Sequence, residues 1–148
     1  MKRYVGLTVL EILLTVAAIS ILIVIGLTIL NPERILASRR DYQRRNHILS
    51  IQIAIDSYRR DNRGNFPEGM STDPNNPSNI CIATCDSELG NLSIYNDIAL
   101  YINGEIPQDP ISTDAELTGY QVYITSNGDI VVTAPLTEQA DEILSTQK

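Results

Sequence analysis

From Ile12 to Leu30 the chain runs nineteen residues without a charge, and its only polar side chains there are Thr15, Ser20 and Thr28. As a helix rising about 1.5 Å per residue the stretch is about 28 Å long, close to the ~30 Å hydrocarbon thickness of a bilayer. Apolar residues occupy every face, so the pattern is that of a membrane span and not of an amphipathic surface helix. A cleaved secretory signal has an apolar region of about 7–15 residues that ends at a small-residue site. This run is longer, and Asn31-Pro32-Glu33-Arg34 behind it is a poor cleavage site. No cysteine follows closely, which disfavours a lipid-anchored precursor. An ordinary N-terminal signal anchor is the plain reading.

Glu11 stands at the head of this run, in Gly6-Leu7-Thr8-Val9-Leu10-Glu11-Ile12. A charge held mid-membrane costs about 2.5–3.5 kcal/mol on insertion scales, so an ionisable residue there is a functional hypothesis by default. The alternative is a carboxylate near the helix start with its head in water. Upstream lies a short basic head, Lys2 and Arg3, ending at Gly6. Five arginines (Arg34, Arg39, Arg40, Arg44, Arg45) follow the span. A bare count of basic residues would leave the C-terminal side in the cytoplasm. The acidic, cysteine-bearing distal part reads instead as an exported domain.

The sequence Lys2-Arg3-Tyr4-Val5-Gly6, then Leu7-Thr8-Val9-Leu10-Glu11 and an apolar helix, resembles the precursor of a type IV pilin or a type II secretion pseudopilin. In that family a prepilin peptidase cuts after the Gly and methylates the new amino terminus, and a Glu stands fifth in the mature chain. The resemblance implies cleavage between Gly6 and Leu7, with N-methylation at Leu7, which leaves Glu11 fifth. Thr8 matches a residue common at the second mature position, whereas Leu7 departs from the usual Phe or Met. The processing motif covers about ten residues, and the general layout covers the whole chain. The amine freed at Leu7 would pair with Glu11 as helices stack in a filament. An unpaired carboxylate in a low-dielectric core costs much more than a paired one, so the pair would specify register. Whether it forms within one chain or between two is open.

Pro32 lacks a backbone donor and disfavours helix at Asn31, and Gly26 weakens the helix by about 1 kcal/mol relative to Ala. In the resembled family Gly and Pro mark a segment that loses helicity on assembly, and Gly26–Pro32 would be that segment. A simple kink or boundary is the equal alternative. Glu33 to about Arg60 reads as an amphipathic helix, with Ile48, Ile51, Ile55 and Tyr58 as the stripe, Leu49 and Ala54 beside it, and Arg45, Gln52, Asp56, Arg59 and Arg60 largely off it. Together the halves would make a spine of about 50 residues, roughly 75 Å if straight. Arg34–Arg63 holds eight basic and three acidic residues, whereas Gly64–Lys148 holds one basic and thirteen acidic. This favours electrostatic complementarity between helix and acidic head, or between subunits, over nucleic-acid binding, because few aromatics interleave with the arginines.

Asp61-Asn62-Arg63-Gly64-Asn65 is a cluster of turn formers that should end the helix. A loop from Glu68 to about Asn79 follows. Cys81 and Cys85 in an exported chain most simply form one disulfide. A metal site would need further ligands, and the lone His47 sits on the distant helix as a surface residue. A short helix is predicted within Leu89–Ile102, and an extended turn over Ile106–Pro110. A hairpin of Tyr120–Thr125 and Ile130–Ala134 should close through Ser126-Asn127-Gly128-Asp129. Leu136–Leu144 would be a short helix or tail. Asp109, Asp114, Glu116 and Asp129 match no calcium-loop spacing and read as a solvated acidic surface.

The fold class expected is α+β, a long N-terminal helical spine packed on a small C-terminal domain with an antiparallel sheet, which the resemblance makes a type IV pilin fold. The divisions are 1–6 leader, 7–30 membrane and filament-core helix, 31–63 amphipathic helix and 64–148 head. No catalytic constellation or cofactor motif is present in the sequence, so no enzyme is expected. The resemblance implies a homo-polymeric surface filament serving adhesion, motility or DNA uptake. Its partners would be the prepilin peptidase, the membrane before assembly, the assembly machinery, and DNA or a surface ligand at the exterior. A secretion pseudopilin, or a membrane-anchored extracellular binding domain without a filament, are the other readings.

Overall fold

The computed structural model describes residues 8–82, 85, 91–102, 105–139 and 144–145. The chain divides into two compact units, Met1–Leu36 and Ala37–Lys148.

Helix α1 spans Val9–Leu30. Thr8 caps it from an extended conformation, its hydroxyl accepting the Glu11 N–H at 3.3 Å, which satisfies one of the orphan donors of a helix start. The hydroxyls of Thr15, Ser20 and Thr28 donate to the carbonyls of Ile12, Val16 and Ile25, each at 2.8 Å. No hydroxyl in the apolar run is therefore left unpaired, as a hydrocarbon environment requires. The helix is long and apolar enough to cross a membrane. Asn31 ends it in the left-handed region, with φ 37°.

Pro32 opens helix α2, Pro32–Asp61, at a position where its missing N–H would have had no helical partner. The Asn31 carbonyl and side chain accept the Arg34 N–H at 3.1 and 3.4 Å. The interruption thus falls at Asn31, while Gly26 remains helical within α1. At the far end Arg63 and Gly64 both have positive φ, and the Gly64 N–H donates to the Arg59 carbonyl at 2.8 Å.

The sheet has the order β2-β1-β3-β4-β5, with β1 Ser78–Cys81, β2 Asn91–Leu92, β3 Leu117–Ile124, β4 Ile130–Ala134 and β5 Leu144–Ser145. β1, β3 and β4 are antiparallel neighbours, β2 runs parallel to β1, and β5 runs antiparallel to β4. The expected hairpin is present, pairing Ile124 with Ile130 and Gln121 with Thr133. Its turn closes with the Gly128 N–H on the Thr125 carbonyl at 2.9 Å. Fold class is α+β, a long N-terminal helical segment with a small sheet that is antiparallel at its centre.

Alternation along β3 buries Thr118, Tyr120 and Val122, as a strand with one covered face requires. Tyr120 and Val122 meet Ile48, Ile51 and Ile55 of α2 together with Ile80, Ile98 and Val132. Each such side chain stabilises the fold by about 1.5–3 kcal/mol on burial. Helix residues inside 31–63 and strand residues of 64–148 therefore share one core.

Three expectations change. The loop expected up to Asn79 gives way to β1 at Ser78, because this short segment finds its partner in β3 and not in local sequence. Within Leu89–Ile102, β2 takes Asn91–Leu92, and the helix is only α3, Tyr95–Ile98, followed by a 3-10 turn at Ala99–Tyr101; Leu89 and Gly90 lie outside the described residues. Leu136–Gln139 is not helical, and Leu144–Ser145 adds to β4 as β5, while 140–143 lie outside the described residues.

Candidate functional site

Gly6 and Leu7 lie outside the described residues. Thr8 and Glu11 meet at the first turn of α1, through the cap hydrogen bond. A carboxylate there faces the positive end of the helix dipole. Among the described residues no side chain pairs with the Glu11 carboxylate, and the large apolar side chains from Val9 to Ile29 are exposed. Cys81, buried in β1, is joined to Cys85 by a disulfide with a Cα–Cα distance of 6.2 Å.

Sequence reasoning missed a second charged centre, in the Ala37–Lys148 unit. Arg44 on α2 is fully buried. Its Nε and Nη2 donate to Asp109 at 2.7 and 3.1 Å, and its Nη1 donates to Asp41 at 2.6 Å and Glu138 at 3.2 Å. Arg40, one turn earlier, makes a bidentate pair with Glu138, both bonds at 2.6 Å. Asp41 also accepts the N–H groups of Glu138 and Gln139 at 3.2 and 2.8 Å. Three segments are thereby tied together: α2, the stretch before β3, and the stretch after β4. A buried ion is tolerable only when paired and fully hydrogen-bonded, and no buried side-chain N or O among the described residues lacks a partner.

Gly119 makes room for this centre. Its φ is +82°, and a Cβ there would lie 2.9 Å from the Cβ of Asp109. Glycine thus serves both the left-handed backbone and the close approach of the Asp109 segment to β3.

Burial alone would lower the basicity of Arg44, but its bonds to Asp109, Asp41 and Glu138 more than offset this and raise it. Asp41 shows the opposite balance. Burial pushes its carboxyl up, yet the Gln139 N–H, the Arg44 guanidinium and the Glu138 N–H hold it below the ordinary value. Arg40, followed by Arg44, holds the Glu138 carboxyl low as well.

His47 lies one turn beyond Arg44, half-buried, with its Nδ1 hydrogen-bonded to the buried Tyr120 hydroxyl at 2.8 Å. It is therefore not the helix-surface residue the sequence suggested. Burial depresses its pKa below 6.5, and the charge of Asp109 opposes this. Asp109 likewise departs from the expected solvated acidic surface, since it is 3% exposed and bound to Arg44. Asp114 and Glu116 are exposed as expected; Asp114 Oδ1 accepts the N–H groups of Glu116 and Leu117 at 2.8 and 3.0 Å. Among the described residues no three His, Cys, Asp or Glu side chains gather to hold a metal. The signal that would have exposed the Arg44 centre is its place in the buried stripe, because Ala37, Asp41, Arg44 and Ile48 follow at intervals of four, three and four.

No protein-family model matches the chain, and neither does any curated protein or solved structure.

Proposed function

We propose that this chain is the structural subunit of a type IV pilus-like surface filament. It is made as a single-pass membrane precursor and cut between Gly6 and Leu7. Helix α1 then leaves the bilayer for a filament core, where the Leu7 amine neutralises Glu11. The observation that carries the reading is Glu11 itself, a lone carboxylate in the first turn of a capped apolar helix, five residues after Gly6 and with no cation beside it among the described residues. The hydroxyls of α1 bond within the helix, so the helix offers an apolar surface to lipid and to neighbouring helices alike. The Ala37–Lys148 unit coats the filament, and surface ligands meet it there. The test is the amino-terminal residue of the chain extracted from membranes of a host with a prepilin peptidase. A methylated Leu7 is expected, and a chain beginning at Met1 overturns the reading.

A further inference from the structure

The face of α2 turned away from the core carries Tyr42, Leu49 and Ile53, which are 67%, 49% and 52% exposed. With Asn46 between them they fall at intervals of four, three and four, which sets them in one row along the helix. Single exposed apolar residues are ordinary, whereas a contiguous patch marks a contact. Arg39 and Arg45 flank the row. Both are exposed, and the ion pairs among the described residues use Arg40 and Arg44 instead.

The flanking charge selects the occupant. A second α2 laid on this row would set arginine against arginine, at a cost. The fitting surface has an apolar floor and an acidic edge. The same unit carries one elsewhere, a groove of about 220 Å³ whose lining includes Leu117, Pro135 and Leu136 as its apolar part, the polar Asn79, Ser112 and Gln121, and the carboxylate-bearing Asp114. Glu116, which precedes Leu117 in the chain, is exposed. No cation pairs with Asp114 or Glu116 among the described residues.

We infer that the Tyr42–Ile53 row of one copy docks in the Leu117–Leu136 groove of a second copy, with Arg39 and Arg45 against Asp114 and Glu116. Two different patches of one chain meet, so the contact is heterologous and repeats head to tail, giving an open filament where its rotation does not close. This rests on the filament reading and supplies it with a lateral contact formed outside the membrane helix.

The test is a charge swap in the full chain, within a host that assembles such filaments. Glu116 is the residue to change, because among the described residues its carboxylate holds no backbone group, whereas that of Asp114 does. Arg45→Glu and Glu116→Arg should each lower the yield of sheared filaments about fivefold or more, and the double variant should restore it to within about twofold. Single variants at wild-type yield, or a double variant no better than the worse single, overturn the contact. A second readout is a disulfide between copies bearing Leu49→Cys and Leu136→Cys, read in membranes as a ladder of cross-linked chains. A dimer from Leu49→Cys alone would mark a symmetric contact, and a mixed disulfide with another protein a different partner; either overturns the inference. If the wild-type chain makes no filaments, the proposed function falls and the ladder alone decides the contact: its presence supports the contact, its absence overturns it.

Discussion

Glu11 and Arg44 are both charges set into a helix where apolar side chains are expected, and they are provided for in opposite ways. Arg44 finds two buried aspartates and Glu138 within its own chain. Glu11 finds no side-chain partner among the described residues, and the apolar side chains around it are exposed. The chain can thus satisfy a buried charge where one is needed for its own fold. The contrast teaches where to look for intermolecular chemistry: α2 spends its buried charge inside the chain, while α1 holds a charge and an apolar surface that a membrane and neighbouring copies would complete.

The largest expected effect breaks the α2 side of this comparison. Arg44→Ala leaves Asp109 and Asp41 buried without their cation, and removal of one partner of a buried pair costs about 3–5 kcal/mol. Thermal unfolding of the full chain in detergent should show it, beside Arg45→Ala, which should stay within about 0.5 kcal/mol as an exposed substitution. Equal effects of the two would mean that the buried network is not what holds α2 to the segments before β3 and after β4.

Glu11→Ala tests the other side. Glu11 belongs to the Met1–Leu36 unit, so the unfolding midpoint of the Ala37–Lys148 unit should not move. Filament yield should nonetheless fall about tenfold or more, a change of about 1.4 kcal/mol or more in assembly. A shifted midpoint with unchanged yield would reverse the assignment and make Glu11 a residue of the fold.

The two charges also differ in how far they could be read from the sequence. Glu11 was legible because its surroundings are local: an apolar run on one side and a Gly at fixed spacing on the other. The α2 stripe and the β3–β4 hairpin were legible for the same reason, since Ile48, Ile51 and Ile55 keep helical spacing and Asn127-Gly128 marks the turn. Arg44 was hidden because arginine in a basic run reads as solvated, and its partners Asp109 and Glu138 lie 65 and 94 residues away. β1 and β5 were missed for a related cause. They are short, and what makes them strands is pairing with β3 and β4, not their own composition.

The smallest effect sharpens the comparison by separating His47 from its acidic neighbours through pH. The groups facing its ring are Tyr120, through the hydrogen bond, and the charge of Asp109, which Arg44 holds in place. The folded pKa of His47 lies below 6.5, so the unfolded chain takes up the proton first. Its contribution to stability is therefore complete above pH 6.5 and is lost as the pH falls through 6.5 toward the folded value. Asp41 and Glu138 are also held low, so their contributions persist to lower pH and are lost only below the ordinary carboxylate range, near pH 4. Two stages of destabilisation follow as pH falls. The first is kept small by solvent, which partly screens a half-buried ring. His47→Gln keeps a hydrogen-bonding side chain near Tyr120 but cannot titrate, so unfolding midpoints between pH 7.5 and 5 should flatten while the loss below pH 4 remains. If the variant keeps the wild-type slope across that interval, the first stage belongs to another group, and the coupling of His47 to the Arg44 centre is broken.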